Sequence, residues 1–85
     1  MKINPIGSNQ TLVTMENGVE ILFSYQTAVA GFVSGIGYIR TNEKYSTTTS
    51  KHINAYCGKG NGVPVTPAEL VSLSNTGHLP LPGGL

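Results

Sequence analysis

Thr11-Leu-Val-Thr-Met-Glu-Asn-Gly-Val-Glu-Ile-Leu-Phe-Ser-Tyr25 is the stretch whose reading decides the fold. Thr11 to Glu16 and Val19 to Tyr25 are β-prone runs, and Asn17-Gly18 lies between them. Asn-Gly in that position is the strongest short-range hairpin signal, since both residues of a tight two-residue turn need positive φ. A two-residue loop pairs Glu16 with Val19, Thr14 with Ile21 and Leu12 with Phe23. One face then carries Leu12, Val19, Ile21, Phe23 and Tyr25. The other carries Val13, Met15 and Leu22 with Thr11, Glu20 and Ser24. Both faces are partly apolar, so one is expected in the core and the other partly covered.

Downstream, Ala28 to Val33 and Ile36 to Thr41 read as a second hairpin around Ser34-Gly35. In that register Phe32 faces Gly37 and Tyr38 faces Gly31, so each aromatic lies over a glycine. Thr48 or Thr49 can cap a short helix reaching about Cys57, ended by Gly58 and Gly60. Its apolar stripe is Ile53, Tyr56 and Cys57, with Lys51, Asn54 and His52 outward. A rival reading extends the β-region through Tyr45-Ser46-Thr47. Gly58 to Gly62 reads as a connector. Thr66-Pro67-Ala68-Glu69 is a capping box that opens a second helix with Leu70, Val71 and Leu73 on its apolar face. Asn75 with Gly77 stops that helix.

The expected fold class is therefore α+β. A twisted antiparallel sheet of three or four strands, built from two hairpins, is followed by two short helices that pack on one face. Residues 1–9 form an N-terminal arm, 10–77 a single domain, and 78–85 an extended or mobile tail. Leu12, Val19, Ile21, Phe23, Ile39, Ile53, Tyr56, Leu70 and Leu73 make the expected core.

Eighty-five residues amount to one domain with a thin core. Only 11% of them are charged, against about 25% in typical soluble domains. A net charge of +1 argues against a DNA mimic, which needs many carboxylates. The single cysteine, Cys57, excludes an internal disulfide. No run approaches the roughly 18 apolar residues of a membrane span, so no membrane partner is expected.

Charge is unevenly placed. Four of the five strong cations, Arg40, Lys44, Lys51 and Lys59, fall between positions 40 and 59, opposed there by Glu43 alone. The hydroxyl run Ser46 to Ser50 lies in the same window. Amides at a helix N-terminus attract anions, and hydroxyls donate to phosphate oxygens. Arg40, Lys44, Tyr45, Thr48, Thr49, Lys51, His52 and Lys59 are accordingly the candidate nucleic-acid-binding residues, with Tyr38 or Tyr45 able to stack on an unpaired base. The plainer reading is that Ser and Thr cap the helix and the lysines keep the protein soluble.

Other chemistries have less behind them. Cys57 and His52 are five residues apart and do not face each other on one helix. The chain has no Asp; Glu16 belongs to a turn and Glu69 to a capping box. The scattered His and Cys match no zinc spacing, so neither a metal nor a cofactor is expected. Gly58-Lys59-Gly60-Asn61-Gly62 follows a helix instead of opening one and lacks the Ser or Thr after Lys that a phosphate-cradling loop uses. No enzyme activity is expected.

Thr11 to Thr27, Gly37-Tyr-Ile-Arg-Thr41 and Lys44 to Asn54 resemble a family of small, uncharacterised phage-encoded domains, over about residues 10 to 75. The resemblance implies a phage or prophage accessory protein acting in the cytoplasm of a bacterial host. It transfers no site residue. The expected function is thus a non-enzymatic accessory module binding DNA or RNA weakly through Arg40 to Lys59. The alternative is a protein-binding module, either an inhibitor of a host defence protein or a homo-oligomeric structural piece docked through an apolar face.

Overall fold

The computed structural model describes residues 2–7 and 9–76. Six strands form one sheet: β1 (Lys2–Gly7), β2 (Gln10–Thr14), β3 (Glu20–Ser24), β4 (Thr27–Val33), β5 (Gly37–Thr41) and β6 (Val63–Val65). Helix α1 (Thr47–Cys57) joins β5 to β6, and α2 (Pro67–Thr76) follows. The sheet order is β1-β2-β3-β4-β5-β6. The first four pairings are antiparallel, and β5 with β6 is parallel.

The class is α+β, with the helices after the main sheet, but four expectations need correction. The sheet has more than three or four strands. The segment taken for an N-terminal arm is edge strand β1, paired with β2. The sheet is mixed, not purely antiparallel: the connector at 58–62 forms as expected but leads into β6, whose parallel pairing with β5 makes β5-α1-β6 a crossover unit. The two helices also lie on opposite faces, not on one. Leu22, Val29, Ala30, Ile53 and Cys57 cluster under α1, joined by Leu12 and Tyr56. Val19, Ile21, Ala28, Ile39, Val65, Leu70 and Leu73 cluster under α2, joined by Met15, Phe23 and Val33. A short chain covers two apolar sheet faces by spending one helix on each.

Both quoted hairpins are one residue out of the expected register, for a shared reason. Met15 N–H donates to the Val19 carbonyl and Gly18 N–H to the Met15 carbonyl. The loop is thus Glu16-Asn17-Gly18, with only Gly18 at positive φ (+86°). Asn17 instead accepts the Val19 N–H on its side chain. Leu12 therefore faces Leu22, and Val13 faces Ile21. In the next hairpin the loop is Ser34-Gly35-Ile36, and Phe32 faces Tyr38 while Gly31 faces Ile39. The expected aromatic-over-glycine pairs are replaced by an edge-to-face aromatic pair with centroids 5.1 Å apart.

Between these hairpins, Tyr25-Gln26 makes a two-residue turn with Tyr25 at φ +60°. A bulge follows: Leu22 pairs with Ala30 and Phe23 with Ala28, leaving Val29 unpaired. This bulge puts Val29 and Ala30 together under α1.

Of the expected core, Val19, Ile21, Ile39, Ile53, Leu70 and Leu73 are buried. Leu12, Phe23 and Tyr56 are partly buried against it. Helix α1 is capped by Ser46, not Thr48 or Thr49; Thr49 N–H donates to Ser46 Oγ at 3.1 Å. It ends at Cys57 as expected, with Gly58 at φ +93°. The capping box of α2 forms reciprocally, Thr66 N–H to Glu69 Oε1 at 2.8 Å and Glu69 N–H to Thr66 Oγ1 at 3.1 Å. The predicted tail from His78 lies outside the described residues, as does Gly77.

Candidate functional site

The cationic window spans the end of β5, the loop before α1, all of α1 and the turn after it. Strand alternation turns Arg40 toward the α1 face, since its neighbours Ile39 and Thr41 point the other way. Its guanidinium reaches under the helix, and Nη2 donates to Asn54 Oδ1 at 2.6 Å. Arg40 Nε is enclosed and has no hydrogen-bond partner among the described residues. The one oxygen that meets this half-buried cation under the helix is a neutral amide, so no carboxylate offsets its charge there.

Beside it, at the carboxyl end of β5, is a hollow of about 190 Å³. Arg40 and Thr41 wall it from the strand, Asn42 to Lys44 from the loop, and Ser50, Ile53 and Asn54 from α1. Lys44 and Glu43 are exposed and form its rim. Crevices at the carboxyl ends of strands, where a helix begins, are the usual ligand positions of parallel α/β units.

The first turn of α1 adds positive potential. No acidic residue stands there, whereas α2 supplies its own Glu69. Ser46 engages the Thr49 amide and its carbonyl takes the Ser50 amide. The Thr47 and Thr48 amides have no acceptor within the helix.

The eight candidate residues divide into four groups. Arg40 and Lys44 meet at the hollow. Tyr45, Thr48 and Lys51 are exposed around the first turns of α1. Thr49 and His52, in contrast, serve the fold. Thr49 is buried and shares its hydroxyl with Ser24 at 3.1 Å and Ser46 at 3.2 Å. His52 was expected to face outward, but Nδ1 lies 2.8 Å from Ser24 Oγ and its ring stands 6.2 Å from that of Tyr25. Asn54, also expected outward, is half-buried on Arg40. Lys59 lies beyond the far end of α1, roughly 15 Å of helix from Lys44. The patch is therefore smaller than the forty-to-fifty-nine window.

Ser24 and Asn54 are not among the expected site residues, and Ser50 is expected only as part of the hydroxyl run. Ser50 and Asn54 are four apart, a spacing that puts them on one helix face. Only knowledge of which strand that face covers turns the spacing into a site.

At the other end of α1, Tyr56 donates to Glu20 Oε1 at 2.8 Å and meets Tyr38 edge-on at 5.2 Å. Burial, then the hydrogen bond and charge of Glu20, hold the Tyr56 phenol well above its ordinary range. Burial likewise pushes the Cys57 thiol up, with Arg40 opposing the shift. Its Sγ–H points at the Ile39 carbonyl, 3.6 Å away. A free thiol that is buried and kept protonated is a poor nucleophile.

Among the described residues, no group of His, Cys, Asp and Glu is arranged to hold a metal ion. No helix among them is long and apolar enough to cross a membrane. No curated protein matches the chain, and no solved structure does either. A family model does match, over the whole sheet, α1 and the start of α2: across residues 1–72 the chain belongs to a family of unknown function (DUF8033).

Proposed function

We propose that this protein is a non-enzymatic accessory module, phage-derived and acting in the bacterial cytoplasm, that binds nucleic acid weakly at the corner between β5 and α1. One observation carries the reading: Lys44, Tyr45, Thr48 and Lys51 are all exposed around the acid-free first turns of α1, next to the hollow that Arg40 lines. Lysines and free amides there attract phosphates, and Tyr45, 45% exposed, offers a stacking face. The phage setting rests on the resemblance of the β2–β3 and β5–α1 sequences.

Three cations, Arg40, Lys44 and Lys51, give a single-strand salt slope of about −2 on a log–log plot. Titration of labelled single- and double-stranded DNA between low and moderate salt measures it. Lys44→Ala with Lys51→Ala should flatten the slope to about −0.7, the value for one remaining cation, and weaken binding uniformly across sequences. An unchanged affinity in that double variant, or no binding at low salt, defeats the reading.

A second reading, a module that binds and inhibits a host protein, is favoured by β1. Ile3 is 67% and Ile6 45% exposed on that strand, and neither helix covers it. A pull-down from host lysate with Ile3→Ser as control tests this reading.

A further inference from the structure

We infer that the hollow between β5 and α1 takes a terminal phosphate, the monoester end of a nucleic-acid strand, and not a phosphodiester inside it. The inference deepens the nucleic-acid reading and rests on it for the chain, though not for the phosphate itself.

Size is the first argument. About 190 Å³ is below the roughly 300 Å³ at which pockets begin to hold drug-sized ligands. A volume of that size matches a phosphate with part of its sugar and leaves the rest of a nucleotide outside it. Charge is the second. A monoester carries about −1.5 to −2 at neutral pH, where an internal diester carries −1. Two cations line the hollow from different depths, the half-buried Arg40 and the exposed Lys44.

Donor supply is the third. Arg40 is held by Asn54 on one nitrogen and has no carboxylate partner among the described residues. The planar fork of a guanidinium suits two phosphate oxygens at once. Ser50 and Asn42 stand on opposite walls as neutral donors. Glu43 on the rim repels any anion, so the site should reward an end that can enter past it and penalise a strand lying across it.

The test compares one single-stranded oligonucleotide in three forms, with a 5′-phosphate, with a 3′-phosphate and with hydroxyls at both ends. Anisotropy at low salt should show one phosphorylated form binding about tenfold tighter than the hydroxyl form. Which form it is identifies the end taken. Lys44→Ala should remove that preference; Arg40→Lys, which keeps the charge but loses the fork, should also remove it. Glu43→Gln should tighten binding of all forms two- to threefold.

In parallel, adenosine 5′-monophosphate and adenosine are titrated while the Arg40 Nε–H resonance is followed by NMR. The monophosphate should move it and adenosine should not. Equal affinity for the three oligonucleotides overturns the inference and leaves the nucleic-acid reading standing. If no oligonucleotide binds but the monophosphate moves Arg40, the nucleic-acid reading falls and the phosphate site stands. If the resonance stays still as well, both fall.

Discussion

Ser24 shows how much one small side chain can organise. It is 2% exposed, yet its hydroxyl meets both Thr49 and His52. Each hydroxyl in this chain has one proton to give. Ser46 donates to Thr49, so Thr49 satisfies its own proton by donating to Ser24, and Ser24 by donating to His52 Nδ1. The reverse order would leave the buried Thr49 proton without an acceptor. His52 therefore carries its proton on Nε2, and a nitrogen-15 correlation spectrum that finds it on Nδ1 would refute the ordering. Ser24→Ala leaves a buried donor and an acceptor unpaired, and should lower unfolding free energy by about 1–3 kcal/mol in a denaturant titration. At the other end of the helix, Tyr56 and Cys57 are both held protonated by the fold. The folded protein keeps these protons after the unfolded chain has released them, above about pH 8.5 for a thiol and pH 10 for a phenol. Their stabilisation is complete below those values and declines as pH rises past them. Tyr56→Phe should cost about 1 kcal/mol at neutral pH, through loss of the Glu20 bond, and flatten the decline above pH 10. An equally steep alkaline loss in that variant would show that the phenol does not cause it.

Among the elements, the hairpins separate what sequence determines from what it leaves open. Asn17-Gly18 and Ser34-Gly35 correctly mark two reversals of the chain. They do not show whether two or three residues form each loop, because glycine supplies positive φ in either case. In both loops the choice is three, and one residue of slip moves every side chain to the other face. Leu12 thereby joins α1, while Val19, Ile21 and Phe23 join α2. Apolar content survived that slip, since both faces are covered, which is why most of the expected core is buried despite the wrong register. The capping box of α2 was legible for a local reason, since Thr66 and Glu69 find each other within one turn, whereas the hydroxyl run before α1 left its cap open and Ser46 takes it. The parallel strand β6 was not legible, because its three residues carry no alternation and depend on β5 for their place. The hollow was hidden with it. Two glycines test the element-level account. Gly18 has open space around it but φ +86°, and Gly31 has ordinary φ, but a Cβ there would strike the Glu20 carbonyl of the neighbouring strand. Gly18→Ala should therefore cost about 1 kcal/mol, the ordinary penalty of left-handed backbone. Gly31→Ala has to move a ladder strand and should cost about 2–4 kcal/mol. Thermal unfolding of the two variants decides the order; a milder Gly31→Ala would mean that β3 and β4 are not held as described.

Taken as a whole, the molecule is a sheet covered over its middle and bare toward one edge. Open edges invite pairing with a second copy, all the more when apolar residues stand beside them. Ile3 and Ile6 on β1 and Val63 on β6 are such residues. Each edge strand, however, contains a proline, Pro5 in β1 and Pro64 in β6. In β6 its placement can be worked out. The Val65 carbonyl accepts the Asn42 amide, so Val65 directs its polar groups toward β5. Its neighbour Pro64 directs them outward, and the missing N–H is lost from the free edge at no cost to the ladder. Pro64→Thr should leave the fold intact and restore a donor to that edge. Combined with Pro5→Thr, it should give concentration-dependent association in sedimentation velocity, where the wild-type chain should sediment as a monomer. A wild-type dimer would mean that apolar faces, not strand edges, govern self-association. A double variant that remains monomeric would mean that Lys2 and the three-residue length of β6 already suffice to block pairing.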